Sequence, residues 1–71
     1  MHYRVSIIIE REDSWFVAYC PDLEIASQGK SVEEARQNLK EALELYLEHA
    51  DPSEYQLPKE PPFVSLLDIA V

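Results

Sequence analysis

The 71 residues carry fourteen acids against six bases, a formal net charge of −8, with 46% apolar residues and a single cysteine. These counts exclude a second domain, an internal disulfide and a basic surface for phosphate backbones, and the apolar share excludes a disordered chain. So short a chain buries a thin core, and two histidines with one cysteine lack zinc-ligand spacing, so association with another chain is the expected supplement.

The acid excess is spread along the chain. Residues 1–30 hold five acids and three bases, 31–50 five and two, and 51–71 four and one. A surface of this kind repels nucleic acid and draws in a basic protein, so the expected partner is a basic protein with no direct nucleic-acid binding. Ile7-Ile8-Ile9 is too short for a signal-peptide core, and nothing approaches the ~20 apolar residues of a membrane span. The expected location is the cytoplasm, with no membrane contact and no cofactor.

Tyr3 to Ile9 reads as a half-buried strand, with Tyr3, Val5, Ile7 and Ile9 on one parity and Arg4, Ser6 and Glu10 on the other. Arg11-Glu12-Asp13-Ser14 is the polar stretch where the chain reverses. Trp15 to Cys20 is a second, more apolar strand that Pro21 ends. A short third strand follows around Glu24 to Gln28, stopped by Gly29, the only glycine.

Ser31-Val32-Glu33-Glu34 is a capping box that starts a helix, and its two acids suit the positive end of the helix dipole. Val32, Ala35, Leu39, Ala42, Leu43, Tyr46, Leu47 and Ala50 form one apolar stripe opposite Glu33, Gln37, Glu41, Glu44 and Glu48. Pro52 stops the helix near His49, which reads as a cation at the helix C-terminus. Residues 51–62, with Pro52, Pro58, Pro61 and Pro62, form an extended connection. Phe63 to Val71 reads as a last strand, apolar on both faces and therefore expected to be buried.

The predicted fold is α+β, β-β-β-α-β in a single domain of residues 1–71. A right-handed crossover through the helix places the last strand beside the first, in the sheet order 3-2-1-4 with the helix on one face. The other face or an edge stays open, and a second subunit is its natural cover.

Three blocks in order carry a resemblance: Trp15-Phe16-Val17-Ala18-Tyr19-Cys20-Pro21-Asp22-Leu23, then Ser27-Gln28-Gly29-Lys30-Ser31-Val32-Glu33-Glu34-Ala35, then Asn38 to Glu48 with its Asn-x-x-Glu-Ala-x-x-x-Tyr-Leu pattern. An aromatic strand ending in Cys-Pro-x-Leu, a Gly-x-Ser-x-Glu-Glu-Ala helix start and that helix pattern resemble the HicB antitoxin family from about Tyr3 to Glu48. The resemblance implies a reduced ribonuclease-H-like fold. It also implies an antitoxin that neutralises a small basic HicA-type toxin, an mRNA-cleaving ribonuclease, by covering its active site. Two departures stand out. Leu23-Glu24-Ile25-Ala26 replaces the family's frequent Leu-Pro-Gly after Cys-Pro. The sequence to Val71 leaves no room for the C-terminal DNA-binding part of many members, so this reads as a short member without operator binding.

Trp15 and Phe16 point to opposite faces of their strand, so one packs under the helix and the other is placed to anchor a partner. The candidate partner or oligomer interface comprises Trp15, Phe16, Tyr19, Asp22, Leu23, Phe63, Val64, Leu66 and Ile69. A homo-oligomer, dimer or tetramer, is expected, and a stand-alone oligomeric adaptor without a toxin partner is the alternative function. No catalytic, metal or cofactor site is expected. Glu10, Asp22, Glu24 and Asp68 near strand ends are read as solvated acids rather than a two-metal nuclease centre. Cys20 is read as a buried thiol rather than a nucleophile, and His2 as terminal strand.

Overall fold

The reversal after the first strand takes only two residues, Asp13 and Ser14. Asp13 sits at φ 55°, a left-handed conformation that Asp tolerates better than most side chains. The computed structural model describes residues 3–57, 59–60 and 62–71, so the reading of His2 lies outside the described residues. β1 (Ile8–Glu12) and β2 (Trp15–Cys20) pair antiparallel from Ile8 opposite Tyr19 to Glu12 opposite Trp15. β3 (Ile25–Gly29) pairs antiparallel with β2 from Cys20 opposite Ile25 to Phe16 opposite Gly29. The Pro21–Glu24 turn between them carries a second left-handed residue, Glu24 at φ 55°.

α1 (Val32–His49) begins as the capping box requires at its first bond: the Glu34 N–H donates to Ser31 Oγ at 3.0 Å. The return bond lands one residue earlier than a standard box, because Glu34 Oε1 accepts the N–H of Lys30 at 3.0 Å. At the far end the Ala50 N–H donates to the Tyr46 carbonyl. Asp51 then caps a short 3-10 helix, Pro52–Glu54, by accepting the Ser53 N–H at 2.9 Å. Among the described residues that turn is the one regular element in a connection read from its prolines as extended and irregular.

Ala18 and Cys20 of β2 meet Ala35, Leu39 and Leu43 of α1 in the buried core. Val5, Ile7, Ile9, Phe16, Leu23 and Ile25 pack around these five. Gly29 lets β3 and α1 approach: a Cβ there would stand 2.5 Å from the Ala35 backbone nitrogen. Asn38 Nδ2 also donates to the Gln28 carbonyl at 2.8 Å, tying the helix to β3. As a result α1 lies over β3 and β2 and barely reaches β1.

The architecture is α+β, as expected, with two corrections to its detail. Among the described residues the sheet has three strands in the order β1-β2-β3, and Phe63–Val71 forms no strand within the chain. The first strand begins at Ile8 rather than Tyr3. Cys20, the last residue of β2, pairs with none of the β1 residues, so the inward-facing Val5 and Ile7 pack on the core with no ladder beside them. Among the described residues no helix is long and apolar enough to cross a membrane.

Candidate protein interface

Paired residues in an antiparallel sheet share a face, so the register sorts the side chains. Phe16, Ala18 and Cys20 point toward α1. The opposite face carries Ile8 beside Tyr19, Glu10 beside Val17, and Glu12 beside Trp15. Among the described residues nothing covers that face: Trp15 is 40% and Tyr19 38% exposed. Lys30 Nζ lies 5.9 Å from the Trp15 ring centroid, a cation–π distance that orients the indole without hiding it. This face is therefore aromatic and aliphatic at its centre with two acids along β1, and it contains no basic residue from β1 or β2.

The other expected interface residues divide. Phe16 belongs to the helix side, where it packs on the core and the Arg11 guanidinium sits 5.9 Å from its ring centroid. Leu23 likewise packs on the core. Asp22 is engaged by the chain itself, because its Oδ2 accepts the Ser6 N–H at 2.8 Å and pins the lead-in to β1. Phe63, Val64, Leu66 and Ile69 stand in solvent, Phe63 at 103% and Leu66 at 99% exposure. The expectation that this last segment is buried fails within a single chain.

A second surface was not foreseen from the sequence. Because α1 sits off-centre, a groove of about 490 Å³ opens between α1 and the lead-in residues 3–7. Val5, Ile7, Leu39, Leu43 and Leu47 form its apolar wall, and three bases, Arg4, Arg36 and Lys40, with one acid, Glu44, its rim. At one end Tyr55 stacks edge-on against both Tyr3 and Tyr46, at 6.4 and 5.9 Å between centroids. The isolated Tyr55 among prolines was the available signal for this cluster. Its hydrogen bond with the Tyr3 hydroxyl, and then desolvation, hold the Tyr55 phenol above its ordinary value. The Ser53 N–H, and then the Ser53 hydroxyl, hold Asp51 below the usual carboxylate value.

Glu10 lies on the outer sheet face, Glu24 in the turn after β2, and Asp68 in the exposed last segment. Among the described residues no group of three or more His, Cys, Asp or Glu side chains is placed to hold a metal ion. Cys20 is buried under α1.

The chain is 41% identical over 71 positions to a UPF0150 protein of Synechocystis, covering 97% of this chain and 90% of the relative. It is 38% identical over 68 positions to a UPF0150 protein of Helicobacter pylori, covering 93% and 94%. The chain belongs to the UPF0150 family. No protein-family model matches this UPF0150 chain, and no solved structure does. Both alignments run over nearly the whole chain, so the UPF0150 likeness includes the stretch after α1 as well as the sheet and helix.

Proposed function

We propose that this UPF0150 chain is a cytoplasmic binding protein of the HicB antitoxin type, neutralising a small basic HicA-type mRNA-cleaving toxin by covering its active site. The observation that supports this reading is the uncovered sheet face, with Trp15 and Tyr19 beside Glu10 and Glu12, on a chain of net charge −8. Negative potential speeds the encounter with a basic partner, and exposed aromatics supply anchors that lose water on docking. The protein acts by occlusion and carries out no bond chemistry. The finer fold reading belongs to the same proposal: a reduced ribonuclease-H-like sheet of order 3-2-1-4, its fourth position taken by Phe63–Val71.

The test is to mix the purified chain with the basic protein encoded beside it, at low salt. A stoichiometric complex that stops RNA cleavage is the expected result. Failure to bind or to inhibit overturns the reading.

The exposed apolar segment favours a second reading, a homo-oligomeric interaction or adaptor protein that needs no toxin. Self-association of the chain with no effect of any basic neighbour would move the assignment to it.

A further inference from the structure

One chain is more open than a compact molecule of its size. Its accessible surface is 6233 Å², against about 4,500 Å² for a compact monomer of this mass. Its radius of gyration is 13.8 Å, against about 11 Å for a compact chain of this length. The last segment is one source of the excess, since Phe63, Leu66 and Val71 are essentially fully exposed.

We propose that Phe63–Val71 of one chain lies in the groove of a second copy, as a fourth strand against β1 and its lead-in, and that the exchange is reciprocal. The inference deepens the oligomeric reading above and rests on it. Two observations favour this occupant.

The first is complementary surface. Among the described residues the outer edge of β1 and residues 3–7 have no strand partner, and on the β3 side Asn38 of α1 already takes up the Gln28 carbonyl. A strand added at β1 would lie beneath the part of the helix that the sheet leaves bare. Its odd positions Phe63, Leu67, Ile69 and Val71 would face Val5, Ile7 and Leu47. Two such tails bury on the order of 1,000 Å² of apolar surface before the groove walls are counted, which brings the total into the range of stable interfaces.

Charge is the second. Arg4, Arg36 and Lys40, half of the chain's six bases, rim this groove with one acid, Glu44. The rim is net positive, and Phe63–Val71 brings one acid, Asp68, and no base.

Light scattering on the full chain at micromolar concentration gives the assembly size, with a dimer at twice 8.2 kDa expected. Leu67→Asp with Ile69→Asp, at positions exposed in the lone chain, is expected to weaken that dimer about a hundredfold or more while leaving the circular dichroism unchanged. Mixing a methyl-labelled chain with an unlabelled one should give interchain NOEs from Val5 and Leu47 to Leu67 and Ile69, and these decide the matter even if the double variant unfolds. A dimer without those NOEs overturns the exchange and leaves the oligomeric reading standing. A monomeric chain overturns both, and a monomer with the same NOEs within one molecule places the tail in its own groove.

Discussion

Gly29 shows how tightly one position is specified. It needs no unusual φ; what it supplies is the absence of a side chain where β3 passes under the first turn of α1. The approach of 2.5 Å to the Ala35 nitrogen is to backbone, which has no rotamer to shift. Gly29→Ala therefore forces strand and helix apart, and a loss of about 1–3 kcal/mol is expected from urea unfolding, as for other overpacked sites. At the other end of the helix, Tyr55 makes a pH-dependent contact. Its phenol is raised by the Tyr3 hydrogen bond, so the protonated form is the one the fold favours. That contribution is fully present below the ordinary phenol value near 10 and is lost as pH rises through the higher folded value. An ultraviolet difference titration should show one tyrosine ionising late, and Tyr3→Phe should bring it back toward the normal value.

Elements were legible in the sequence where local chemistry decides them. The hairpin, the third strand and the helix follow from alternation, Pro21, Gly29 and the Ser31 cap, and each needs only neighbours in the chain. Ser31→Ala removes the acceptor for the Glu34 N–H and should cost about 1 kcal/mol in thermal unfolding followed by circular dichroism. Glu34→Gln should cost less, because its carboxylate serves the Lys30 N–H and an amide oxygen can do the same. Two segments were misread for one reason. Residues 3–7 have the right parity, and Val5 and Ile7 do pack inward, but a strand also requires a partner, and β2 has ended before it reaches them. Phe63–Val71 has the composition of a buried strand, yet period and polarity report only that burial is favourable, not where in the fold a partner for it stands. The groove escaped notice because it arises from the offset of α1 toward β3, a packing result of Gly29 and Asn38 that no periodicity encodes.

The whole molecule presents two surfaces of different character. The groove is apolar with three bases and one acid at its rim, while the outer sheet face is aromatic with acids along β1. If the outer face receives a basic toxin, its charges and its aromatics should affect different rate constants. Charges act at a distance, and salt shortens that reach from about 10 Å at 0.1 M to about 3 Å at 1 M. The association rate should therefore fall steeply with ionic strength, and Glu10→Lys with Glu12→Lys should reproduce much of that fall at low salt. Trp15 acts only on contact. Trp15→Ala should leave the association rate within a few-fold and speed dissociation, costing about 2 kcal/mol or more in affinity. Stopped-flow mixing with the basic partner measures both, and because Trp15 is the only tryptophan its fluorescence reports the docking step of the unmodified chain directly. A salt-dependent association that Trp15→Ala leaves with unchanged dissociation would mean that the toxin docks elsewhere on the acidic surface.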